Sequence, residues 1–238
     1  MNIAIIGYGK MGKALKKTAE EQGHTITHII DNKIDWKTKG DFLFDPDVAI
    51  EFSTPEAAHD NVMHCLEKGI PVVCGTTGWD EALQDVKQYV ETNNKSFVYA
   101  TNFSIGVNVL FALNKRLAAM MNDHACYRVQ LSETHHTQKL DKPSGTAITL
   151  ANDIIQKMQR YNNWKSNDNH VNSHEIPVVS YRESEVTGIH EIQYTSNIDE
   201  ITLRHEAFSR QGFVQGALFV AKEIIGRKGF FTMQDLLF

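Results

Sequence analysis

Apolar residues fall along this chain in two patterns, and the change between them comes near residue 104. Before it, short apolar runs alternate with stretches whose apolar positions recur at helical spacing, which predicts strands alternating with amphipathic helices. Residues 2–6 read as a strand, followed by Gly7-Tyr-Gly-Lys-Met-Gly12 and a helix carrying Ala14, Leu15 and Ala19. Further strands are predicted over 25–30, 48–52, 71–74 and 96–99, with helices over about 56–68 and 80–92. Such βα alternation builds a parallel sheet.

From Ser104 onward the order is different. A helix is predicted over 106–121, with Val107, Leu110, Phe111, Leu113, Leu117 and Met120 on its apolar positions, then a strand near 125–132. The polar stretch Glu133-Thr-His-His-Thr-Gln-Lys-Leu-Asp-Lys-Pro-Ser-Gly-Thr-Ala147 runs into a helix that starts at Ser144 or Gly145 and carries Ile148, Leu150, Ala151, Ile154, Ile155 and Met158. Residues 161–175 are Asn-rich and read as a surface loop with solvated His170 and His174. Strands over 178–182, 189–195 and 200–207 follow without a long helix between them, so this half reads as a separate α+β domain with a mostly antiparallel or mixed sheet. A helix over 212–225 and an apolar tail over 229–238 are expected to return to the first domain. The fold class is thus α/β: a Rossmann-like parallel-sheet domain over 1–103 and 211–238, and a smaller α+β domain over 104–210.

The first half carries a dinucleotide signature. Gly7, Tyr8, Gly9, Lys10, Met11 and Gly12 lie between a strand and a helix, and Asp31 ends the next strand, roughly 20 residues on, where an acid bonds ribose hydroxyls. Ligands in such sheets bind beyond the carboxyl ends of the strands, which adds Ser53, Thr54, Gly75, Thr76, Thr77, Ala100, Thr101, Asn102 and Phe103. Asp31 favours NAD, whereas Lys10 or Lys33 would suit a 2′-phosphate, so the cofactor is expected to be NADH or NADPH.

The stretch 133–147 concentrates proton donors and cations before a helix N-terminus, where unpaired N–H groups and the helix dipole favour an anion. His135 and His136 titrate near pH 6.5 when unperturbed, Lys139 and Lys142 add charge, Ser144 is an N-cap candidate and Gly145 allows close approach. The set suits a small carboxylate that is protonated during reaction. Arg182, His190, Arg204 and His205 either point into the cleft or pair on the sheet, and pairing on the sheet is the leading expectation for each.

Composition narrows the field. A net charge of −5 argues against nucleic acid as the main partner, and no segment has the length and apolarity of a membrane span. The chain enters a folded pattern at its first residues, which points to the cytoplasm. Cys65, Cys74 and Cys126 are an odd number in mostly apolar surroundings and read as reduced core residues. No Cys/His spacing calls for a metal.

On Gly75-Thr-Thr-Gly78, Ala100-Thr-Asn-Phe-Ser104, Ser209-Arg210, Met233-Gln-Asp235 and above all Glu133-x-His-His-x-x-Lys-x-Asp-x-Pro-Ser-Gly-Thr-Ala147, the chain closely resembles the dihydrodipicolinate (4-hydroxy-tetrahydrodipicolinate) reductases of diaminopimelate and lysine biosynthesis. The resemblance implies reduction of a cyclic unsaturated dicarboxylate to tetrahydrodipicolinate by NADH or NADPH, with hydride entering ring C4 and a proton entering C3. It implies His135 as general acid, Lys139 as a second donor or substrate cation, and His136, Ser144, Gly145 and Thr146 as substrate contacts. It also implies that residues 104–210 bind substrate and assemble a homotetramer. Two features depart from the family pattern: a nucleotide loop one residue short, and Ser184 in place of a frequent glycine. Another amino or imino dicarboxylate reductase, of the aspartate-dehydrogenase kind, and a non-catalytic NAD(P)-binding redox sensor are the alternatives.

Overall fold

The computed structural model describes residues 1–39, 46–166 and 171–238, the side chains of Lys33 and Lys39 excepted. The expectations placed on the Lys33 side chain and on His170 lie outside the described residues. The chain begins β1 (Asn2–Ile6), α1 (Lys10–Glu21), β2 (Thr25–Ile30), α2 (Lys33–Lys39), β3 (Val48–Glu51), α3 (Pro55–Glu67), β4 (Val72–Cys74), α4 (Asp80–Thr92) and β5 (Ser96–Tyr99). It continues α5 (Ile105–Met121), β6 (Arg128–His135), α6 (Gly145–Lys157), β7 (Asn163–Ser166), β8 (Glu175–Arg182), β9 (Gly188–Thr195) and β10 (Glu200–Ala207). It ends α7 (Gln211–Ile224), β11 (Gly229–Phe231) and α8 (Met233–Leu237). Two compact units result, Met1–Ile105 with Gln211–Phe238, and Gly106–Arg210.

The first unit is a six-stranded sheet in the order β11-β5-β4-β3-β1-β2, parallel throughout. Alternation along each strand feeds two cores. Ile3 and Ile5 pack with Leu15, Ala19, Val214 and Ala217 of α1 and α7, while Ala4 and Ile6 pack with Ala58, Val62, Val86 and Val90 of α3 and α4. The connections leave β1 in opposite directions toward β2 and β3, so the switch point lies between β1 and β3, with the glycine loop and Ser53 at its carboxyl end.

The second unit is a mixed five-stranded sheet in the order β10-β9-β6-β8-β7. Strand β6 is antiparallel to β9 and parallel to β8. Its core joins Val129, Leu131, Val178 and Ile192 of the sheet to Leu110 and Phe111 of α5 and Leu150, Ala151 and Ile154 of α6.

Three expectations need correction. The stretch taken as loop contains β7, whose polar Asn-Trp-Lys-Ser sequence is held by pairing with β8 and not by alternation. Strand β6 starts at Arg128 and runs to His135, three residues past the expected end, because β8 pairs with it that far. Of the three free cysteines, Cys65 and Cys74 are core residues but Cys126 is exposed.

Candidate active site

The buried face of β6 reads Val129, Leu131, Glu133, His135, so an apolar core face ends in a carboxylate and an imidazole. Glu133 is 1% exposed and His135 7%. A buried carboxylate is costly unless partners replace its water, and here they do. The Ser144 N–H donates to both oxygens at 3.1 Å. Arg182 Nη1 stands 3.5 Å from Oε1, and His135 Nδ1 stands 3.5 Å from Oε2. His190 Nε2 is 3.9 Å from Oε2 and 3.2 Å from Ser144 Oγ.

Strand register brings these groups together, since Arg182 on β8 pairs with His135 and His190 on β9 pairs with Glu133. Arg182 also gathers in the loop after β6, donating to the Lys139 carbonyl at 3.2 Å and the Asp141 carbonyl at 2.6 Å. Within that loop Lys139 and Asp141 form an ion pair of 2.9 Å. Donor atoms of Glu133, His135 and His190 all lie within 4.8 Å of one another. Ser144 and Arg182 engage the carboxylate directly, while the imidazoles of His135 and His190 stand at ion-pair distance from it.

Burial lowers the His135 pKa below 6.5, Glu133 opposes that shift, and Lys139 and Arg182 add to it. Burial also pushes His190 down to about 3, helped by the positive charges of His135, His205 and Lys139. His190 therefore takes up a proton far more readily unfolded than folded. Its contribution to stability is complete above pH 6.5 and is lost as pH falls from there toward 3, with His135 and His205 shifted the same way. The thermal midpoint is expected to drop steadily below pH 6.5, and His190→Gln to flatten that slope. Circular dichroism melts across the range check this; equal slopes would remove His190 as a cause.

In the first unit, the glycine loop serves two ends. Gly7 has φ +87°, and a Cβ there would stand 2.2 Å from the Phe52 carbonyl oxygen; one on Gly12 would stand 2.1 Å from the Gly7 carbonyl oxygen. These two are demanded by the turn and by helix–strand packing. Gly9, the N-cap of α1, has open space around it and no side-chain cap, leaving the first helical N–H groups facing a ligand's path. Asp31 accepts the Tyr8 N–H at 2.6 Å with Oδ1. Beside it opens a pocket of about 680 Å³ whose lining includes Gly7, Asp31, Trp36, Ser53, Asn61 and His64. Its floor is ordered, with Trp36 Nε1 donating to Asn61 Oδ1 at 2.7 Å and the Trp36 and His64 rings 4.2 Å apart. Size, glycine turn and acid together fit the adenosine end of a dinucleotide.

Several predicted residues turn inward instead. Ser144 is 2% exposed; it caps α6 by accepting the Ala147 N–H, and its own N–H serves Glu133, which leaves the remaining N–H groups of the first helical turn to a ligand. Thr76 Oγ1 accepts the Ser53 N–H, and Phe103, 2% exposed, packs edge-on against Phe52. Gly75 is required by the Phe52 ring, which a Cβ would meet at 2.1 Å. Asn102 Oδ1 accepts the Ser104 N–H. Lys10, Thr77, Thr101 and Gly145 are exposed, whereas Met11, His136, Lys139 and Thr146 are half-buried and Ala100 is buried. Glu51 was not foreseen: fully buried at the end of β3, it accepts from Ser53 and from Cys74 Sγ, and so holds the loop at the switch point. Of the two readings open for Arg182 and His190 the structure favours the cleft, and Gly188 joins them there; only the register of three strands unites these residues with His135.

Comparison with known proteins matches both units. Residues 1–103 match the family described as dihydrodipicolinate reductase, N-terminus, and residues 106–237 its C-terminus. A 4-hydroxy-tetrahydrodipicolinate reductase of Christiangramia forsetii is 43% identical over 237 residues, covering 100% of this chain and 98% of that protein. Another from Thermosipho africanus is 32% identical over 239 residues, with coverage of 100% and 98%. A dipicolinate-bound dihydrodipicolinate reductase from Paenisporosarcina sp. TG-14 superposes with a TM-score of 0.76 at 26% identity, covering 98% of this chain and 97% of that one. Aspartate dehydrogenase from Thermotoga maritima shares only the fold, with a TM-score of 0.52 at 15% identity. On sequence over its full length and on fold, the chain belongs to the dihydrodipicolinate reductase family.

Proposed function

We infer that the chain is an NAD(P)H-dependent 4-hydroxy-tetrahydrodipicolinate reductase, forming tetrahydrodipicolinate for diaminopimelate and lysine synthesis, and we propose roles for its residues. The observation that carries these roles is the buried His135, set at the end of β6 among Glu133, Lys139 and Arg182, one short loop before the start of α6. When bound, the nicotinamide supplies the hydride. His135 supplies the proton that the reduced ring needs at C3. Gly145 and Thr146, at the head of α6, take a substrate carboxylate, with His136 beside them and Lys139 as a cation that exchanges Asp141 for substrate. Ser144 supports this site from beneath.

The first unit binds the dinucleotide through the 7–12 turn, Asp31 and the loops at 75–77 and 100–103. Among the described residues lining the pocket, acidic Asp31, Glu56 and Asp60 outnumber Lys37, which favours free ribose hydroxyls over a 2′-phosphate. Turnover with NADH is therefore expected to exceed that with NADPH by about tenfold in kcat/KM. The second unit binds substrate and assembles the homotetramer; Tyr181 and Ile201, exposed on β8 and β10, support a sheet-borne interface. No helix among the described residues is long and apolar enough to cross a membrane. Following oxidation of each cofactor with enzymatically generated 4-hydroxy-tetrahydrodipicolinate tests the assignment. Folded protein that turns over neither cofactor overturns it.

A further inference from the structure

Glu133 lies outside any contact expected for substrate, yet it is the hub of the second unit's polar cluster. Both its oxygens accept the Ser144 N–H, and Arg182 anchors Oε1. On the remaining side Oε2 stands 3.5 Å from His135 Nδ1, a little long for a hydrogen bond and within reach of one after a small shift. That Nδ1 is sealed from solvent and has no hydrogen-bond partner, so what exposure His135 keeps lies elsewhere on the ring. The opposite edge rests on Gly188, where a Cβ would stand 3.2 Å from Nε2 and 3.3 Å from Cδ2. A carboxylate thus flanks one edge of the ring and bare backbone the other.

We propose that Glu133 is the positioning residue for His135: its carboxylate, pinned by Ser144 and Arg182, holds Nδ1–H inward, so that Nε2, set against Gly188, is the nitrogen that gives up the proton. This deepens the reductase reading and rests on it. After transfer from Nε2, the neutral ring keeps its Nδ1–H toward Glu133, so each turnover restores the same tautomer once Nε2 is reprotonated from solvent. The charges facing His135 are Glu133 on its own strand, Lys139 and Asp141 in the loop, Arg182 on β8 and His190 on β9. Among these, Glu133 is the largest influence that favours the protonated ring.

Glu133→Gln keeps the shape and an acceptor for Ser144 but removes the charge. Expected are a kcat lowered about ten- to hundredfold, a KM for the dicarboxylate changed less than about threefold, and a partial return of kcat in Glu133→Asp. The histidine titration of ligand-free protein, followed by NMR, should show His135 moved to lower pH in Glu133→Gln, and the kcat/KM profile should move with it. A kcat near wild type, or a lost kcat with an unmoved His135 titration, overturns the proposal. If Glu133→Gln does not fold, Gly188→Ala presses the same ring from its other edge with Glu133 intact; an undiminished kcat there also overturns it. The titration needs no substrate, so a protein that fails to turn over any substrate sinks the reductase reading while leaving the Glu133–His135 coupling separately measured.

Discussion

Replacing His135 by Gln lowers kcat by about a hundredfold or more and changes the KM for the cyclic dicarboxylate by less than about threefold. Glutamine fills much of the same buried space and can still hydrogen-bond, but it carries no proton to deliver. The carboxylate contacts assigned to Gly145 and Thr146 belong to another element, the head of α6, and survive the change. The pH profiles separate this from a packing defect. Burial holds the His135 pKa below 6.5, so wild-type kcat/KM falls as pH rises through that lowered value. Bound dicarboxylate adds negative charge nearby, which places the limb in kcat at higher pH than the limb in kcat/KM. Both limbs should be missing in His135→Gln. Steady-state rates from pH 5 to 9 measure all of this, and a variant whose kcat stays within about twofold of wild type would take His135 out of the role. Lys139→Ala is expected to cost less, since Asp141 already neutralises that ammonium at 2.9 Å.

The difference between what the residues announced and what they concealed follows from the range of the interactions involved. The parallel sheet was legible because each buried strand is a local apolar run and each helix carries its own stripe: the helix expected over 80–92 is α4, and the strands expected over 2–6 and 25–30 are β1 and β2. The Ser144 cap was legible for the same reason, being fixed by residues three apart. Its partner was not. Nothing near Ser144 in sequence says that its N–H faces Glu133, eleven residues back, and not a ligand. Helix α2 hid because Ile34 is 71% exposed, so no apolar stripe marks it. Strand β11 hid because three residues become a strand only by pairing with β5, with Ser96 bonded to the Arg227 carbonyl just before it. Likewise Arg182 and His190 looked like ordinary sheet charges. They join the site because β8 and β9 flank β6 on both sides, one parallel and one antiparallel, which no local pattern encodes.

Gly216 is the sharpest case of such concealment, and Gly216→Ala is expected to destabilise the protein by on the order of 2 kcal/mol. Its position in the middle of α7 makes the opposite expectation natural, since Ala outranks Gly in a helix interior by about 1 kcal/mol. Tertiary packing decides the sign. A Cβ on residue 216 would stand 1.7 Å from the Phe103 carbonyl oxygen and 2.8 Å from its carbonyl carbon. That is about half an ordinary contact distance, and the obstacle is backbone, so no rotamer change relieves it. Phe103 cannot yield cheaply either, being 2% exposed with its ring against Phe52. Overpacking of this kind costs roughly 1–3 kcal/mol and sometimes more, which exceeds the helical gain. For a chain of this size a net loss of about 1–2 kcal/mol is a fall of about 2–8 °C in Tm. Gly145→Ala is the matched control: a Cβ there meets nothing within 4 Å, so its Tm should barely move. The strain in Gly216→Ala falls on residues 100–103, at the carboxyl end of β5, so the KM for NADH should rise while His135 titrates as before. A Tm at or above wild type would show that α7 and the Phe103 backbone stand farther apart than this, and would leave the 100–103 loop without its rigid support.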